Sequence, residues 1–327
     1  MKHILLIDDR KCVSFQMLSL IFKRLEKAGF TFEPVDSRQW QNILPSMLNT
    51  VLPIFVKSST SINLRIMNHL ISSNIDYLFY IDDDLWNMSK LGIYSGDLEI
   101  LNTLIKNART TIVPSLALLE IVKKINKNAI FIKPMFDFDL LDGCVKQKHD
   151  EEMRISFPSN REIDLRFLYP VIYEIAKKYQ GRVFFELFFE VPEWVNKNGG
   201  IRYLMRFPDY SFFMKFQYSR NWDIGLAPLE KLSVHNSKTN LKYREYGACE
   251  TAGIYQNHPI YTKYVKDGYN GLIADSTEES WYNSLVTLIE NAELRKKITC
   301  NAFFDVKETF SLESVIPDWL DFLNSIP

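Results

Sequence analysis

Two lysines and a glutamate, Lys238, Lys242 and Glu245, stand at helical spacing within residues 222–275 of this chain. Residues three and four positions apart lie on one face of a helix. The spacing therefore predicts a helix with two cations near its start and one carboxylate a turn further on. Cations bind phosphate oxygens, and a carboxylate accepts hydrogen bonds from hydroxyls. Such a face suits a ligand with a diphosphate at one end and a pair of sugar hydroxyls at the other.

Three adjacent carboxylates, Asp82, Asp83 and Asp84, follow an apolar run at residues 77–81. Like charges in a row repel one another, so they need solvent, a cation or a cationic partner. Three interpretations are open: a role in a ligand cleft, a structural acidic turn, and a site for a metal ion. In the first, which the pattern favours, the carboxylates act as general base, orient an acceptor or contact a sugar.

A second acidic pair, Asp8 and Asp9, ends the first apolar run, and Lys133 ends a later one. This arrangement resembles the acidic pair and lysine of a phospho-receiver domain. A receiver also needs an aspartate at the end of its third strand, where this chain has Lys57 in the sequence FVKSS. We therefore expect Asp8 and Asp9 to be solvated or to cap the helix that follows them.

The elements that must position these residues form a first series of alternating strands and helices. Continuous apolar runs predict buried parallel strands, and helical periodicity predicts the helices between them. The predicted strands are 3–8, 31–35, 52–56, 77–81, 111–113 and 129–132. The predicted helices are 15–28, 39–48, 62–71, 98–106 and 116–125. Residues 136–152 lose this periodicity and are predicted to be a linker.

A second series follows the linker. The predicted strands are 154–157, 183–189, 201–207 and 223–226. The predicted helices are 162–179, 210–218, the one that carries Lys238 and Glu245, 280–291, 292–309 and 314–325. Such alternation predicts an α/β protein of two Rossmann-like, doubly wound domains, 1–150 and 151–327, which face each other across a cleft. Ligands of such sheets bind at the carboxyl ends of the strands.

Composition excludes several classes of protein. The 327 residues are 46% hydrophobic and 24% charged with a net charge of −1, which argues against bulk binding of nucleic acid. Four cysteines without a CxxC pair argue against a zinc site or a disulfide framework and favour the cytoplasm. We expect no signal peptide and no transmembrane helix. An aromatic content of 14% leaves a peripheral membrane contact open.

The stretch 222–275 carries the most specific pattern in the chain. The matching residues are Asp223 to Leu229, Asn236, Lys238, Asn240, Lys242, Tyr243, Glu245, Tyr246, Pro259, Tyr261, Asp267, Gly268, Gly271 and Leu272. They resemble the C-terminal domain of GT-B nucleotide-sugar glycosyltransferases of the large group 1 family, in particular its bacterial members. The likeness extends over residues 154–189, through the pair Asp164 and Leu165, and more loosely over the N-terminal domain.

The resemblance implies a GT-B fold whose terminal helix, about 312–327, packs back on the first domain. It implies that Glu245 binds the donor ribose, and that Lys238 and the backbone of residues 237–240 bind the diphosphate. The residues expected on the donor side are Arg161, Asn236, Ser237, Lys238, Thr239, Asn240, Lys242, Glu245 and Tyr261. The chain departs from the family at Ser237, where many members have a glutamate, and at DDRKC, which replaces a glycine-rich turn. We expect His235 to be a surface residue.

The expected function is transfer of a sugar from a nucleotide-sugar donor to a glycan or lipid-linked glycan, in bacterial surface polysaccharide synthesis. Asp82, Asp83, Asp84 and Lys238 are the predicted catalytic residues, with no metal or other cofactor. The expected location is the cytoplasm, with the inner face of the membrane left open. One alternative is a metal-dependent transferase with a single Rossmann domain that uses Asp82 and Asp84. The other is a non-catalytic, nucleotide-sensing protein on the same scaffold. The sequence does not decide between retention and inversion.

Overall fold

The computed structural model describes residues 3–8, 12–42, 51–149, 151–207 and 209–326. The described strands form two six-stranded sheets in which every neighbouring pair is parallel. Parallel sheets carry helices on both faces, so their strands are buried on both sides and read as continuous apolar runs. This is why both series of strands could be recognised in the sequence.

The first sheet has the strand order β2-β1-β3-β4-β5-β6. Its strands are β1 His3–Asp8, β2 Thr31–Asp36, β3 Val51–Val56, β4 Leu78–Tyr80, β5 Thr110–Val113 and β6 Ala129–Phe131. The helices that follow them are α1 Val13–Leu25, α2 Ser61–Ser72, α3 Leu85–Lys90, α4 Leu98–Asn107 and α5 Leu116–Val122.

The second sheet has the strand order β12-β11-β10-β7-β8-β9. Its strands are β7 Met153–Phe157, β8 Val183–Leu187, β9 Ile201–Tyr203, β10 Ile224–Ala227, β11 Ala252–Gln256 and β12 Leu272–Ala274. Its helices are α6 Glu162–Leu165, α7 Tyr169–Lys178, α8 Tyr210–Arg220, α9 Leu241–Ala248, α10 Pro259–Thr262, α11 Glu278–Glu290 and α12 Ala292–Phe310. The last helix of the chain is α13 Leu312–Ser325.

The chain divides into two compact units, each built on one of the sheets. Unit 1 consists of Met1–Met135, Asn236–Thr239 and Leu312–Pro327, and unit 2 of Phe136–His235 and Asn240–Ser311. Helix α13 thus belongs to unit 1, as the resemblance implies. The assignment of acceptor and donor to separate domains, 1–150 and 151–327, stays a prediction.

Helix α13 is attached to unit 1 by its apolar face. The buried ring of Trp319 meets Phe22 of α1 edge-on, with 5.4 Å between the ring centroids. Arg24 of α1 adds an ion pair to Glu313, 2.5 Å long and exposed on the glutamate side. Burial of a large aromatic side chain is worth about 2–3 kcal/mol, whereas an exposed ion pair adds at most about 1 kcal/mol. The apolar contact therefore dominates the attachment.

Several predicted elements differ from the structure. The strand predicted over 201–207 ends at Tyr203, and the helix predicted over 15–28 continues after Leu25 as a 3-10 segment, Glu26–Ala28. The helix predicted over 162–179 is divided into α6 and α7 by a short 3-10 segment, because Pro170 lies in the first turn of α7. Proline has no N–H to donate, so it is tolerated in the first turn of a helix and not in the middle. Of the helix predicted over 39–48, residues 39–42 belong to a 3-10 helix, Ser37–Asn42, and residues 43–48 lie outside the described residues.

The helix that was predicted to carry Lys238 begins later, at Leu241. Lys238 therefore precedes α9 and does not share a helical face with Lys242 and Glu245, so this part of the prediction was wrong. Serine, threonine and asparagine bond to nearby backbone groups and favour turns and caps over helix interiors. Four of the five residues 236–240, NSKTN, are of this kind. Asn236 and Ser237 end a 3-10 helix, Ser233–Ser237, and Asn240 is the N-cap residue of α9.

Candidate functional site

Two glycines allow helix α9 to pack closely against strand β10 and helix α12. A Cβ on Gly225 of β10 would come within 2.6 Å of the Tyr246 ring. Tyr246 Oη donates a hydrogen bond of 2.6 Å to the carbonyl oxygen of Leu226. On the side of α12, a Cβ on Gly247 would lie 2.9 Å from the carbonyl oxygen of Ala302. Because α9 packs closely on both sides, the positions of its charged residues are fixed relative to the second sheet.

An ion pair between a half-buried lysine and a buried glutamate lies on α9. Lys242 Nζ is 2.8 Å from Glu245 Oε2 and donates at 2.6 Å to the carbonyl oxygen of Pro158, just after β7. Glu245 is only 1% exposed. A carboxylate has about four lone-pair sites, so Lys242 does not use the whole acceptor capacity of Glu245. The structure thus brings together two of the residues predicted for the donor side.

A second charged group surrounds Asp164, which is 3% exposed in α6. Asp164 Oδ2 accepts from Arg161 Nε at 2.7 Å, and Oδ1 lies 2.9 Å from His235 Nε2. The backbone N–H of Glu230 also donates to Oδ1, at 3.1 Å. These three donors come from the loop after β7 and the loop after β10, which are adjacent strands. One carboxylate therefore joins two loops at the carboxyl ends of the sheet.

His235 is fully buried, at 0% exposure, so the expectation of a surface histidine was wrong. Its contact with Asp164 gives the physical reason, because a buried imidazole N–H needs an acceptor. An ionised carboxylate only accepts hydrogen bonds, which assigns a proton to Nε2 of the ring.

The charge of Asp164 is strongly stabilised. Burial by itself would raise the pKa of this carboxyl, but the hydrogen bond from His235 and the charge of Arg161 lower it to about 2. Tyr261, a predicted donor-side residue, is 3% exposed. Burial raises the pKa of its phenol, and the charges of Asp164 and Glu245 add to the effect. Tyr261 is therefore a neutral group beside both carboxylates.

The segment Asn236–Thr239 groups with unit 1. Ser237 is 3% exposed, and its Oγ lies 3.5 Å from Asp84 Oδ2, at the outer limit of a hydrogen bond. Asn240, the first residue after this segment, is also buried, and its Oδ1 accepts from Arg244 Nε at 3.1 Å. The binding roles of Asn236, Ser237, Lys238, Thr239 and Asn240 stay predictions.

In unit 1, a lysine lies between two members of the acidic triplet. Lys57 Nζ is 2.5 Å from Asp83 Oδ2 and 3.3 Å from Asp82 Oδ1. Ser14 Oγ, from α1, donates to Asp82 Oδ2 at 2.6 Å. These residues follow β3 and β4 and begin α1, so the group lies at the carboxyl ends of the first sheet. Lys57 has a φ of +48°, a left-handed conformation that is uncommon for a residue other than glycine.

The two ion-pair partners have opposite tendencies. Burial raises the pKa of Asp82, and the neighbouring Asp83 adds to this, while Lys57 opposes it. Burial alone would lower the pKa of the Lys57 ammonium, but both carboxylates raise it above its ordinary value. Lys57 is therefore protonated at neutral pH. Asp82 binds a proton more readily than an exposed aspartate does.

Asp84 differs from its two neighbours. It is 2% exposed and is the N-cap residue of α3, where Oδ1 accepts from the backbone N–H of Asn87 at 3.0 Å. Oδ2 accepts from the side chain of Asn87 at 2.6 Å. These contacts are those of a helix cap. The catalytic role of the triplet stays a prediction, and the structure separates an ion-paired part, Asp82 and Asp83, from a capping part.

The first acidic pair is described only at Asp8, because Asp9 lies outside the described residues. Asp8 Oδ2 accepts from the backbone N–H of Cys12 at 3.1 Å, and Cys12 is the N-cap residue of α1. Asp8 is only 4% exposed, so it is not solvated, and it bonds to the residue that precedes α1 and not to an N–H of the first turn, so the expectation for Asp8 was wrong. Among the described residues, no group of three His, Cys, Asp or Glu side chains is arranged to hold a metal ion. The absence of a cofactor stays a prediction.

Lys57, Asp164 and His235 are the residues of these groups that the sequence did not identify as functional. Lys57 was considered only as the residue that replaces a receiver's aspartate, and Asp164 only as part of a family pattern. The one available signal for Lys57 was a lone lysine at the end of a buried strand, where ligand sites of such sheets lie.

Comparison with known proteins identifies the fold. No family model and no curated protein matches the sequence. Among solved structures, HepE from Anabaena, in complex with UDP and glucose, superposes with a TM-score of 0.70 at 12% identity, over 99% of this chain and 100% of that one. Sucrose-phosphate synthase from Thermosynechococcus elongatus gives a TM-score of 0.69 at 12% identity, over 100% and 99% of the two chains.

A glycosyltransferase from Rickettsia africae is also similar, with a TM-score of 0.66 and 13% identity over 99% of this chain and 98% of that one. The predicted fold is thereby confirmed: the chain has the two-domain α/β GT-B fold of glycosyltransferases. Within the described residues, no helix combines the length and apolar character needed to cross a membrane.

Proposed function

We propose that the protein is a GT-B glycosyltransferase whose unit 2 binds a nucleotide-sugar donor. The observation that carries the proposal is the set of buried charges at the carboxyl ends of β7 and β10. Arg161 and Lys242 supply cations there, and Glu245 supplies a carboxylate at the position where the group 1 pattern has its ribose ligand. In open α/β sheets, ligands bind at this end of the strands.

The donor that we propose is a uridine diphosphate sugar. HepE has been crystallised with UDP and with UDP-glucose, and its chain superposes on nearly the whole of this one. In the proposed complex, Glu245 accepts hydrogen bonds from ribose hydroxyls, and Arg161, Lys238 and the backbone of residues 237–240 contact the diphosphate. Asn236, which precedes this segment, and Thr239 within it are also assigned to the donor side, and Tyr261 borders the nucleotide.

Catalysis in this proposal depends on charge. The departing nucleoside diphosphate gains negative charge as the glycosidic bond breaks, and fixed cations stabilise that charge most where water is excluded. Arg161 and Lys238 are the groups that we assign to this task. No metal ion is required in this scheme.

Unit 1 supplies the acceptor side in this proposal. Asp82 and Asp83 orient an acceptor hydroxyl, and Lys57 keeps their combined charge low enough for both to remain close together. The acceptor is a glycan or lipid-linked glycan of bacterial surface polysaccharide synthesis, reached from the cytoplasmic face of the membrane. The support for this acceptor is the likeness of residues 222–275 to bacterial members of the group 1 family.

Binding of nucleotides tests the proposal most directly. We expect UDP or a UDP-sugar to raise the melting temperature by several degrees, since ligand at about 100 times its Kd adds about 2.7 kcal/mol to the free energy of unfolding. Glu245→Ala should abolish the shift, whereas the control Glu174→Ala, at an exposed position of α7, should keep it. An unchanged shift in Glu245→Ala would remove our main site assignment.

Binding and transfer assays on the wild-type protein distinguish this function from the two alternatives. No shift with any nucleoside diphosphate or nucleotide sugar would overturn the proposed function. Nucleotide binding without sugar transfer or donor hydrolysis would favour the nucleotide-sensing protein. Loss of transfer after treatment with EDTA, restored by a divalent cation, would favour the metal-dependent enzyme that uses Asp82 and Asp84.

A further inference from the structure

Helix α8 of unit 2 carries an apolar residue on its outer face. The helix buries Tyr210, Met214 and Gln217, which lie on one side of it. On the opposite side, Phe212 is 67% exposed. A surface helix of a globular protein carries polar or charged residues on the side away from the core. Packing within unit 2 therefore does not explain why this position is a phenylalanine.

The chain before α8 adds further exposed apolar groups. Strand β9 is the edge of the second sheet and ends at Tyr203, whose side of the sheet has no further strand. Tyr203 is 47% exposed, and Met205 just after it is 85% exposed. The ring of Phe207 lies 4.7 Å from that of Phe216 in α8, measured between centroids. This stretch therefore packs on α8, and its exposed residues and Phe212 belong to one surface.

The exposed charges of this surface are positive. Arg206 stands between two apolar residues of the chain, and Lys215 follows Phe212 by about one helical turn; both are exposed. Asp209, the one acid of residues 203–215, is partly buried and caps α8, where its Oδ1 accepts from the backbone N–H of Phe212 at 3.0 Å. The whole chain has a net charge of −1, so the surface is locally basic. We term it the β9–α8 surface, and its members are Tyr203, Met205, Arg206, Phe212 and Lys215.

This combination of side chains fits a lipid bilayer better than a protein partner. The core of a protein–protein interface is depleted of charged residues, and of lysine in particular. At a bilayer, aromatic and aliphatic side chains enter the boundary between headgroups and acyl chains, while lysine and arginine reach anionic headgroups. On the β9–α8 surface the two cations lie next to the most exposed apolar residues, so a protein partner would have to bury both kinds together.

We propose that unit 2 docks onto an anionic lipid bilayer through the β9–α8 surface. Met205 and Phe212 enter the interface, Tyr203 lies at the level of the headgroups, and the two cations bind lipid phosphates. The inference rests on the proposed function for its purpose, which is access to a lipid-linked acceptor. The docking itself involves no nucleotide, so the two proposals can be tested separately.

Sedimentation of the full chain with sucrose-loaded vesicles tests the docking. Vesicles of phosphatidylcholine with about 30% phosphatidylglycerol supply the anionic surface, and vesicles of phosphatidylcholine alone are the neutral reference. We expect the wild type to bind the anionic vesicles about 10- to 30-fold more tightly than the neutral ones, because each cation near an anionic surface contributes about 5-fold. This preference should shrink in about 1 M salt, which screens exposed charges.

Single substitutions separate the apolar and the charged contributions. Met205→Ser and Phe212→Ser should each weaken binding to the anionic vesicles about 3- to 10-fold, since each removes apolar surface from the interface. Arg206→Ser should weaken it about 5-fold and leave the weaker binding to neutral vesicles unchanged. The matched control is Phe304→Ser, which removes a similarly exposed ring, at 63%, from α12 of the same unit and should bind as the wild type does.

Three results would overturn the inference. A wild type that does not sediment with the anionic vesicles has no such docking. Equal losses for Phe212→Ser and Phe304→Ser would mean that binding does not depend on the β9–α8 surface. A dimer in analytical ultracentrifugation that Phe212→Ser dissociates would assign the surface to a second copy of this chain.

The measured shift in melting temperature with UDP separates this inference from the proposed function. The double variant Met205→Ser/Phe212→Ser should keep the melting temperature and the UDP shift of the wild type, because both side chains are exposed and neither belongs to the donor site. UDP binding without vesicle binding would overturn the docking and leave the donor site. Vesicle binding without binding of any nucleotide would leave the docking surface and overturn the proposed function.

Discussion

The two units place charged groups at the same end of their parallel sheets but with opposite arrangements. In unit 1 one lysine, Lys57, serves two carboxylates, Asp82 and Asp83, which leaves an excess of negative charge. In unit 2 one carboxylate, Asp164, serves an arginine and a histidine. The same fold position therefore carries an acidic group in one sheet and a cation-holding group in the other, and the side chains rather than the fold decide which ligand each could take.

The units also differ in how deeply the charges are buried. The difference lies in the carboxylates: the side chains of Asp82 and Asp83 are 23% and 30% exposed, whereas those of Glu245 and Asp164 are 2% and 4% exposed. The two lysines are alike, with Lys57 19% and Lys242 17% exposed. Loss of a partner is most costly where water cannot replace it. Removal of one cation from each unit therefore gives a direct test of the comparison.

The largest effect is expected for Lys242→Met in unit 2. The variant leaves the almost fully buried carboxyl of Glu245 without its ammonium partner, and we expect a loss of about 3 kcal/mol in the free energy of unfolding. Urea denaturation at neutral pH measures it. Lys178→Met, which breaks an ion pair whose partners are 43% and 56% exposed, is the control and should change the free energy by less than about 0.5 kcal/mol. An equal loss in the free energy of unfolding for the two variants would show that the burial of Glu245 does not make its ion pair more important for stability than an exposed one.

A smaller effect, about 2 kcal/mol near pH 8, is expected for Lys57→Met in unit 1, because its carboxylates remain partly hydrated. The pKa of Asp82 is already raised by burial in the folded protein, and loss of the lysine raises it further. A folded state with a raised carboxyl pKa binds more protons than the unfolded chain, so its stability falls as pH rises. The deficit should therefore be small near pH 4 and full near pH 8.

Urea denaturation across this range of pH measures the deficit of Lys57→Met. Arg109→Met is the matched control, since its partner Asp76 is 63% exposed and their pairing should contribute little at any pH. A deficit that does not change with pH would mean that Lys57 acts through packing of its aliphatic chain and not through its charge.

The sequence predicted the elements better than the contacts between them. Strand β1 was predicted at its observed bounds, because a parallel strand buried on both faces is apolar at every position. The partners of the buried charges could not be predicted in this way. His235 is 71 residues from Asp164, and Lys57 is 26 residues from Asp83. Such pairs form only when neighbouring strands bring distant loops together.

The start of α9 shows a second limit. Lys238, Lys242 and Glu245 have helical spacing, yet the helix begins after Lys238 because the polar run before it favours a turn. Periodicity indicates which residues would share a face if all of them were helical, but it does not show where the helix starts. The Lys242 and Glu245 part of the predicted face is present, and its ion pair spans three residues within one helix.

The smallest effect concerns Ser14, whose hydroxyl donates to Asp82 at 2.6 Å. This hydrogen bond stabilises the ionised form and opposes the rise that burial causes in the pKa of Asp82. Ser14→Ala should raise that pKa by somewhat less than about one unit, since such a bond is worth about 1 kcal/mol. If Asp82 takes the proton of the acceptor in the proposed reaction, the acid limb of the kcat/KM profile should move to higher pH by the same amount.

Ser72→Ala is the control, because that hydroxyl donates to the backbone carbonyl of His69 at an exposed helix end and has no carboxylate partner among the described residues. Its pH profile should match that of the wild type. A Ser14→Ala enzyme with an unmoved acid limb and full activity would show that Asp82 does not act as the base. The negative excess of unit 1 would then serve to orient the acceptor rather than to move its proton.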